Sequence, residues 1–314
     1  MPHVTIQEIA DRLGTSVATV SRALNGRDRV SGATRSRVIR EARRLGYRGP
    51  GVPTAALLTN ELTDYAAQVE TSMVRELSVR GWVAETYTAA TSARVTERFV
   101  DGAVVLVNPA DIGIRLEDLE GLPAVLFNWP GGGRFHGVVS DHRESGYLGC
   151  RALVAAGHRR IAFVGNPLPE WAIQERLEGA RHAMEETRIP WRDDLVFLAP
   201  GDDMFATIDA ALDARPTAVF ALEETITAYA VSAIQGKRGW RIPEDISFLG
   251  FHIGAQALPF YPRMTLIRQP LKEMTWKAVE ILTLLSETTQ GRPETYVFAN
   301  RLVDGHSIGP PRPG

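Results

Sequence analysis

Cysteine is all but missing from this 314-residue chain. Cys150 stands alone, so no internal disulfide can form and no cysteine-based metal site can be assembled; a small core residue is the expected role. Lysine is nearly as scarce, with only Lys237, Lys272 and Lys277, so the choice of arginine over lysine carries no message, although its placement does. No apolar run approaches the roughly 18 residues of a membrane helix, and no secretory signal opens the sequence, so a cytoplasmic protein is expected. Nor is there a phosphate-binding loop, a nucleophile motif or a metal-ligand spacing. Asp141-His142 and Glu223-Glu224 could pass for acid–base pairs, and His158 and His252 for general bases, but nothing accompanies them that would build an enzyme. No catalytic residue, metal or cofactor is therefore expected.

What is present is unevenly charged. Residues 1–50 hold ten arginines against Glu8, Asp11, Asp28 and Glu41, an excess of six. With −2 for the whole chain, the other 264 residues carry −8. A small basic head on an acidic body is the footprint of a nucleic-acid module joined to something else. The length suits two or three domains, and 44% hydrophobic residues suits ordinary cores.

Within the head, "TSVATVSRALNG" (15–26) places Val17, Val20 and Leu24 at i, i+3 and i+7, the stripe of a short amphipathic helix. Thr15 or Ser16 can cap it, and Asn25-Gly26 can end it. Its other face offers Ala18, Thr19, Ser21, Arg22 and Asn25, which are small and hydrogen-bonding, with one cation. A preceding helix is predicted over 6–13, with Thr5 and Glu8 as a capping box and Gly14 as its stop. A third is predicted over 34–45, with Val38, Ile39, Ala42 and Leu45 buried. Helix, glycine turn, helix and supporting helix is the helix-turn-helix arrangement, in which the second helix enters the DNA major groove.

Over some 45 residues, "VTIQEIADRLGTSVATVSRALNGRDRVSGATRSRVIREARRLGYR" resembles the DNA-binding headpiece of the LacI/GalR family of bacterial regulators. The resemblance implies that Val17, Ala18 and Arg22 read bases. Arg22 can pair bidentately with guanine, while Val17 and Ala18 can touch a thymine methyl. It also implies that Thr5, Ser16, Thr19, Ser21, Asn25 and Ser31 hold phosphates, although Thr5 and Ser16 would serve as helix caps without DNA. Arg40, Arg43 and Arg44 are expected to form a solvated basic face. The family's hinge resembles Y-x-P-N-x-x-A-R-x-L, and it inserts a leucine pair into the minor groove. Here "GYRGPGVPTAALLTNE" stands instead, with Pro50 and Pro53 flanking Gly51, and two prolines so placed do not nucleate a helical turn. The hinge helix is expected to be missing from a linker of residues 49–53.

From residue 54 to 314, apolar β-like runs alternate with helical stretches, predicted among other places at 91–98 and 114–119. This pattern predicts an α/β body of two doubly wound parallel-sheet subdomains whose carboxyl-end loops face one cleft. The boundaries read as about 54–139 plus 270–290, and about 143–266 plus 294–308. "LVAAGHRRIAFVGNP", "ERLEGARHAMEE" and "RIPEDISFLGF" resemble the periplasmic-binding-protein-like effector domain of the same family. That implies a homodimeric repressor on a near-palindromic operator, controlled by a small-molecule effector, with no membrane partner. The tail "GPPRPG" offers no heptads for a tetramer.

By alignment with that family, Tyr65, Asn108, Asp141 and Arg176 fall at effector-contacting positions, and Trp129 and Trp171 lie where a ring could stack. Asp141 could instead cap a helix, Arg176 could form a salt bridge, and both tryptophans could be packing. Two places depart from the family: Glu223-Glu224 stand for its usual Asn-Asp, and His252 for its Asp. Glu223 would favour a cation or amine over a standard sugar, and His252 would make binding sensitive to pH. A degenerate pocket on an effector-independent or architectural DNA-binding dimer is the other reading.

Overall fold

A computed structural model of the chain describes residues 4–26, 30–60, 64–166, 171–198, 203–252, 264–288 and 292–312. Arg27, Asp28 and Arg29 of the basic head lie outside these. The chain begins with three helices, α1 (Ile6–Leu13), α2 (Val17–Leu24) and α3 (Gly32–Leu45). Each starts on a hydroxyl. Thr5 and Glu8 form a reciprocal capping box, Ser16 accepts from the Thr19 amide, and Ser31 accepts from the Thr34 amide. Ser31 sets the start of α3 two residues ahead of the predicted Thr34. Gly14 ends α1 at φ 61°, a left-handed turn that lets α2 follow three residues later. Ile9, Ala10, Val20, Ala23, Val38 and Ala42 close a small core among the three. Residues 47–53 form no helix, as the prolines require.

In chain order there follow β1 (Thr54–Leu58), α4 (Asp64–Val79), β2 (Val83–Tyr87), β3 (Gly102–Val105), β4 (Ala124–Phe127) and β5 (His136–Ser140). Next come α5 (His142–Ala155), β6 (Ile161–Gly165), α6 (Trp171–Glu186), β7 (Val196–Leu198), α7 (Met204–Asp213), β8 (Ala218–Ala221) and α8 (Glu224–Val231). The chain closes with β9 (Ser247–His252), β10 (Thr265–Arg268), α9 (Leu271–Glu287), β11 (Thr295–Phe298) and β12 (Arg301–Val303). The two connections predicted as helices at 91–98 and 114–119 are 3-10 turns, Ser92–Thr96 and Leu116–Leu119. In the first, Thr91 spends its hydroxyl on the Thr88 amide at 3.0 Å, and Ser92 donates to Ile112 O at 2.6 Å, so local side-chain bonds compete with a longer helix. The second is confined between Gly113 and Gly121, both at positive φ. Past Val231, α8 widens into a π-helical turn over Ser232–Lys237.

The chain divides into two compact units, Met1–Val139 with Lys272–Val297, and Ser140–Leu271 with Phe298–Gly314. Unit 1 holds a sheet in the order β11-β5-β4-β3-β1-β2, with β2 to β5 joined by parallel pairing. Unit 2 holds the order β12-β10-β9-β8-β6-β7, parallel except for antiparallel β12. Strands β1, β3, β4, β6, β8 and β9 are buried almost throughout, as the continuous apolar runs of parallel strands demand. In each unit the strand order reverses once, between β1 and β3 and between β6 and β8. Ligands of open parallel sheets gather outside the carboxyl ends at such reversals.

In unit 2, α5 and α6 pack on the same core. A Cβ placed on Gly146 would lie 1.8 Å from Arg176 O, and one on Gly179 would lie 1.8 Å from Arg143 O. Only glycine admits this approach of backbones. Cys150 sits in that core, where burial pushes its thiol pKa up to about 12, so it is an inert packing residue.

Candidate DNA-reading face and effector site

On the headpiece, α2 turns Val20 and Ala23 inward and leaves the opposite face open. Ser16, Val17, Ala18, Arg22 and Asn25 are exposed, and Thr19 and Ser21 are half-buried. Val17 keeps 40% of its surface in water, which leaves its methyl groups open to an apolar contact. Arg22 forms no hydrogen bond or ion pair among the described residues, so its five donors are unspent. Asn25 is held by its own helix, its amide donating to Ser21 O at 2.8 Å. Ser16 and Thr19 share a hydroxyl contact of 2.9 Å, as do Ser31 and Thr34. Thr5, Ser16 and Ser31 are exposed caps at the positive ends of three helices, and the free N–H groups at such ends suit phosphate. Of the basic residues on α3, Arg40 and Arg44 are exposed, with Arg44 paired to Glu41 at 2.6 Å. Arg43 departs from the expected solvated face. Its guanidinium is part-buried, and burial pushes its pKa down to about 10, still well above neutrality.

In unit 2 the reversal between β6 and β8 gathers polar side chains from several strands and helices. Asn166, directly after β6, donates its amide to Glu223 Oε2 at 2.8 Å. The next residue, Glu224, opens α8 and meets His252 Nδ1, at the end of β9, at 2.6 Å. Arg176 on α6 is only 5% exposed; its Nη1 donates to Leu222 O and its Nη2 lies 3.2 Å from His142 Nδ1. The Arg176 guanidinium also lies 4.1 Å from the centre of the Phe251 ring. His142 is buried, and its ring stands edge-on to Trp171 at 5.1 Å. Burial, reinforced by the Arg176 charge, holds its pKa well below the usual imidazole value. Neutral His142 can accept from Arg176 through Nδ1; a protonated ring could not. Ser140 Oγ lies 3.3 Å from the same nitrogen and accepts from Gln269 Nε2 at 2.9 Å.

Sequence reasoning placed Trp171, Arg176, Glu223 and His252 in this group, and the structure brings them together. Asp141 belongs to the frame beside it: its Oδ1 accepts from the Glu144 amide at 2.8 Å as the cap of α5. His142, Asn166, Glu224 and Phe251 complete the group, although none was marked as an effector contact. Each directly follows or ends a strand, or neighbours a marked residue, and that position was the available signal. In unit 1, Tyr65 follows β1 and Asn108 follows β3, on either side of that sheet's reversal. Asn108 uses its Oδ1 on the Ala110 amide at 3.2 Å, a local turn bond. Trp129, after β4, packs half-buried on the core of that unit. His158 is a strut: its ring nitrogens lie 2.9 Å from Thr217 Oγ1 and 2.9 Å from Gly309 O. No cluster of potential metal ligands occurs among the described residues, and no helix among them is long and apolar enough to cross a membrane.

Two family descriptions match the chain: "Bacterial regulatory proteins, lacI family" over residues 5–49, and "Periplasmic binding protein-like domain" over residues 150–308. The HTH-type transcriptional repressor PurR of Vibrio cholerae is 29% identical over 306 residues, covering 88% of this chain and 90% of that one. The transcriptional regulator CelR, solved in complex with cellobiose, superposes with a TM-score of 0.69 at 26% identity, over 97% of this chain and all of that one. The lac repressor dimer bound to operator and an anti-inducer shares the fold at a TM-score of 0.67 and 20% identity, over 98% and 100% of the two chains.

Proposed function

The chain belongs to the LacI/GalR family of bacterial transcriptional regulators, and from that membership we propose that it is a cytoplasmic repressor, binding a near-palindromic operator as a homodimer and answering to a small-molecule effector. The observation that carries the DNA half is the face of α2. Val17, Ala18 and Arg22 stand exposed on one helix, with nothing among the described residues spending Arg22. One such helix reads too few bases for a unique site, so two copies related by a two-fold axis are required. Thr5, Ser16, Thr19, Ser21, Asn25 and Ser31 hold the backbone on either side.

The effector half rests on the unit 2 group. Arg176 is held from two sides by Leu222 O and His142, and the aromatic rings of Trp171 and Phe251 flank the arginine–histidine pair. Glu223 and Glu224 bring two carboxyl groups where a neutral sugar site needs none, and His252 partners one of them. A ligand bearing a ring and an amine or other cationic group suits this chemistry better than a simple sugar. Asp141, which caps α5 beside the group, is a further candidate contact, and Tyr65, Asn108 and Trp129 are the candidates of unit 1 at the carboxyl ends of its own sheet. Cellobiose in CelR and the anti-inducer in the lac repressor are precedents for small-molecule ligands on this fold. A regulator rather than an enzyme is the reading that the repressor relatives support; Asp141 caps α5, and Glu224 meets His252.

Selection of bound DNA from a random pool by the purified full chain tests this reading. An inverted repeat is expected, and Arg22→Ala is expected to relax preference at one base pair per half-site. Failure to bind any duplex at low salt, or an unchanged preference in the variant, overturns it. If a metabolite panel changes neither operator affinity nor thermal stability, the effector-independent dimer takes its place.

A further inference from the structure

Helix α3 has two buried stripes where the headpiece fold needs only one. Val38 and Ala42 close the three-helix core. One residue further on, Ile39 and Arg43 are covered as well, with Ile39 only 1% exposed. Both line a groove of about 960 Å³ whose other wall belongs to the body, with Gly121–Pro123, Phe135 and Leu285 among its residues. The α3 backbone rests on that wall, where a Cβ placed on Gly121 would lie 3.6 Å from Arg43 Cβ. Arg43 Nη2 donates to Val95 O at 2.9 Å and to Arg98 O at 3.3 Å. These carbonyls lie at the end of the Ser92–Thr96 turn, the negative pole of a helical segment, where a cation is favoured.

The linker repeats the attachment. Tyr47 meets Phe99 edge-to-face at 5.6 Å, and Gly49 lies against the same ring. Asp101 accepts from the Thr54 amide at 2.8 Å and also from the Gly49 backbone. A free tether of this composition would need none of these contacts. The exposed face of α2 is not used by any of them, so docking leaves the base-reading side chains available.

From these contacts we propose that the headpiece is docked on the body of unit 1 through Arg43, Tyr47 and Phe99, and that this docking takes the place of a hinge helix in fixing the separation of operator half-sites. The consequence rests on the DNA-reading function given above, whereas the docking itself does not. A headpiece carried on the body cannot follow a half-site that moves: one inserted base pair rotates it by about 35° and shifts it by about 3.4 Å. A headpiece on a loose tether can.

The test uses the full chain and the inverted repeat it selects, alongside the same repeat with one or two base pairs inserted at its centre. The unaltered protein is expected to lose on the order of 30-fold in affinity on insertion. Phe99→Ala and Arg43→Gln are expected to keep the same half-site bases, since Arg22 is untouched, while the insertion penalty shrinks to less than about 3-fold. Without DNA, amide hydrogen exchange over residues 46–53 is expected to quicken by about 10-fold or more in both variants. Phe99 lies outside the headpiece, so Phe99→Ala reads the contact even if Arg43→Gln fails to fold. Equal insertion penalties in unaltered and variant proteins, or unchanged exchange, overturn the proposal. If the unaltered protein selects no sequence, the DNA-reading function fails, and the exchange measurement alone decides the docking.

Discussion

Protonating His142 would set a second positive charge against Arg176 and remove the lone pair that faces it at 3.2 Å. Burial and that charge together hold its pKa below the value it has in the unfolded chain, near 6.5. Below pH about 6.5 the unfolded chain therefore binds a proton that the folded chain refuses, so stability is retained above that pH and falls as pH drops. His136 and His158 are depressed by burial in the same direction and add to the slope. A thermal midpoint that declines from pH 7.5 toward pH 5.5 is expected, with the slope reduced by up to about one proton in His142→Asn. In the headpiece, Arg22→Ala is expected to lose about 1–3 kcal/mol of discrimination at its base pair, measured by competition with single-base operator variants. Arg22 was legible in the sequence because Val20 and Leu24 mark the side of the helix that turns away from it, although the structure buries Ala23 in place of Val17, which stays exposed. His142 was not, because its partners Arg176 and Trp171 come from another helix, and no local pattern records that pairing.

Gly146 and Gly179 let α5 and α6 touch backbone to backbone, and that contact brings the His142 of one helix to the Arg176 of the other. Gly146→Ala must push the helices apart, because its Cβ would meet a carbonyl rather than a flexible side chain. A loss of about 1–3 kcal/mol or more is expected from denaturant unfolding, together with a weakened thermal response to any effector. Gly32→Ala, in the first turn of α3 with no neighbour within 4 Å, is the matched control and is expected to leave stability unchanged or slightly raised. Element type was readable along most of the chain: apolar runs became strands, and capped amphipathic stretches became helices. It failed at Ser92–Thr96 and Leu116–Leu119, where hydroxyl bonds and flanking glycines hold the backbone to single tight turns. Helix periodicity cannot register such short competition.

Charge separates the molecule along its length, with an excess of six positive charges in the first fifty residues and −8 in the remainder. Operator affinity is accordingly expected to fall steeply with salt, by roughly 10³-fold or more between 50 and 200 mM if each dimer meets at least six phosphates. Filter binding over that range checks it, and a flat profile would mean that the basic head does not touch the duplex. The two-sheet architecture was visible from strand–helix alternation, whereas the strand order and its reversal points were not, because pairing between distant strands leaves no local pattern. The docking of α3 was not visible, because Ile39 and Arg43 look like ordinary core and surface residues until Gly121 and Val95 come beside them. The two units interleave along the sequence. The chain passes between them at Val139–Ser140, Leu271–Lys272 and Val297–Phe298, so neither is continuous in sequence. A ribosome delivers β1 to β5 long before α9 and β11, and unit 1 stays unfinished on the nascent chain until Lys272–Val297 have been added. Its apolar strands must be shielded through that wait, which makes synthesis, rather than the completed fold, the interval in which this protein is most exposed to aggregation.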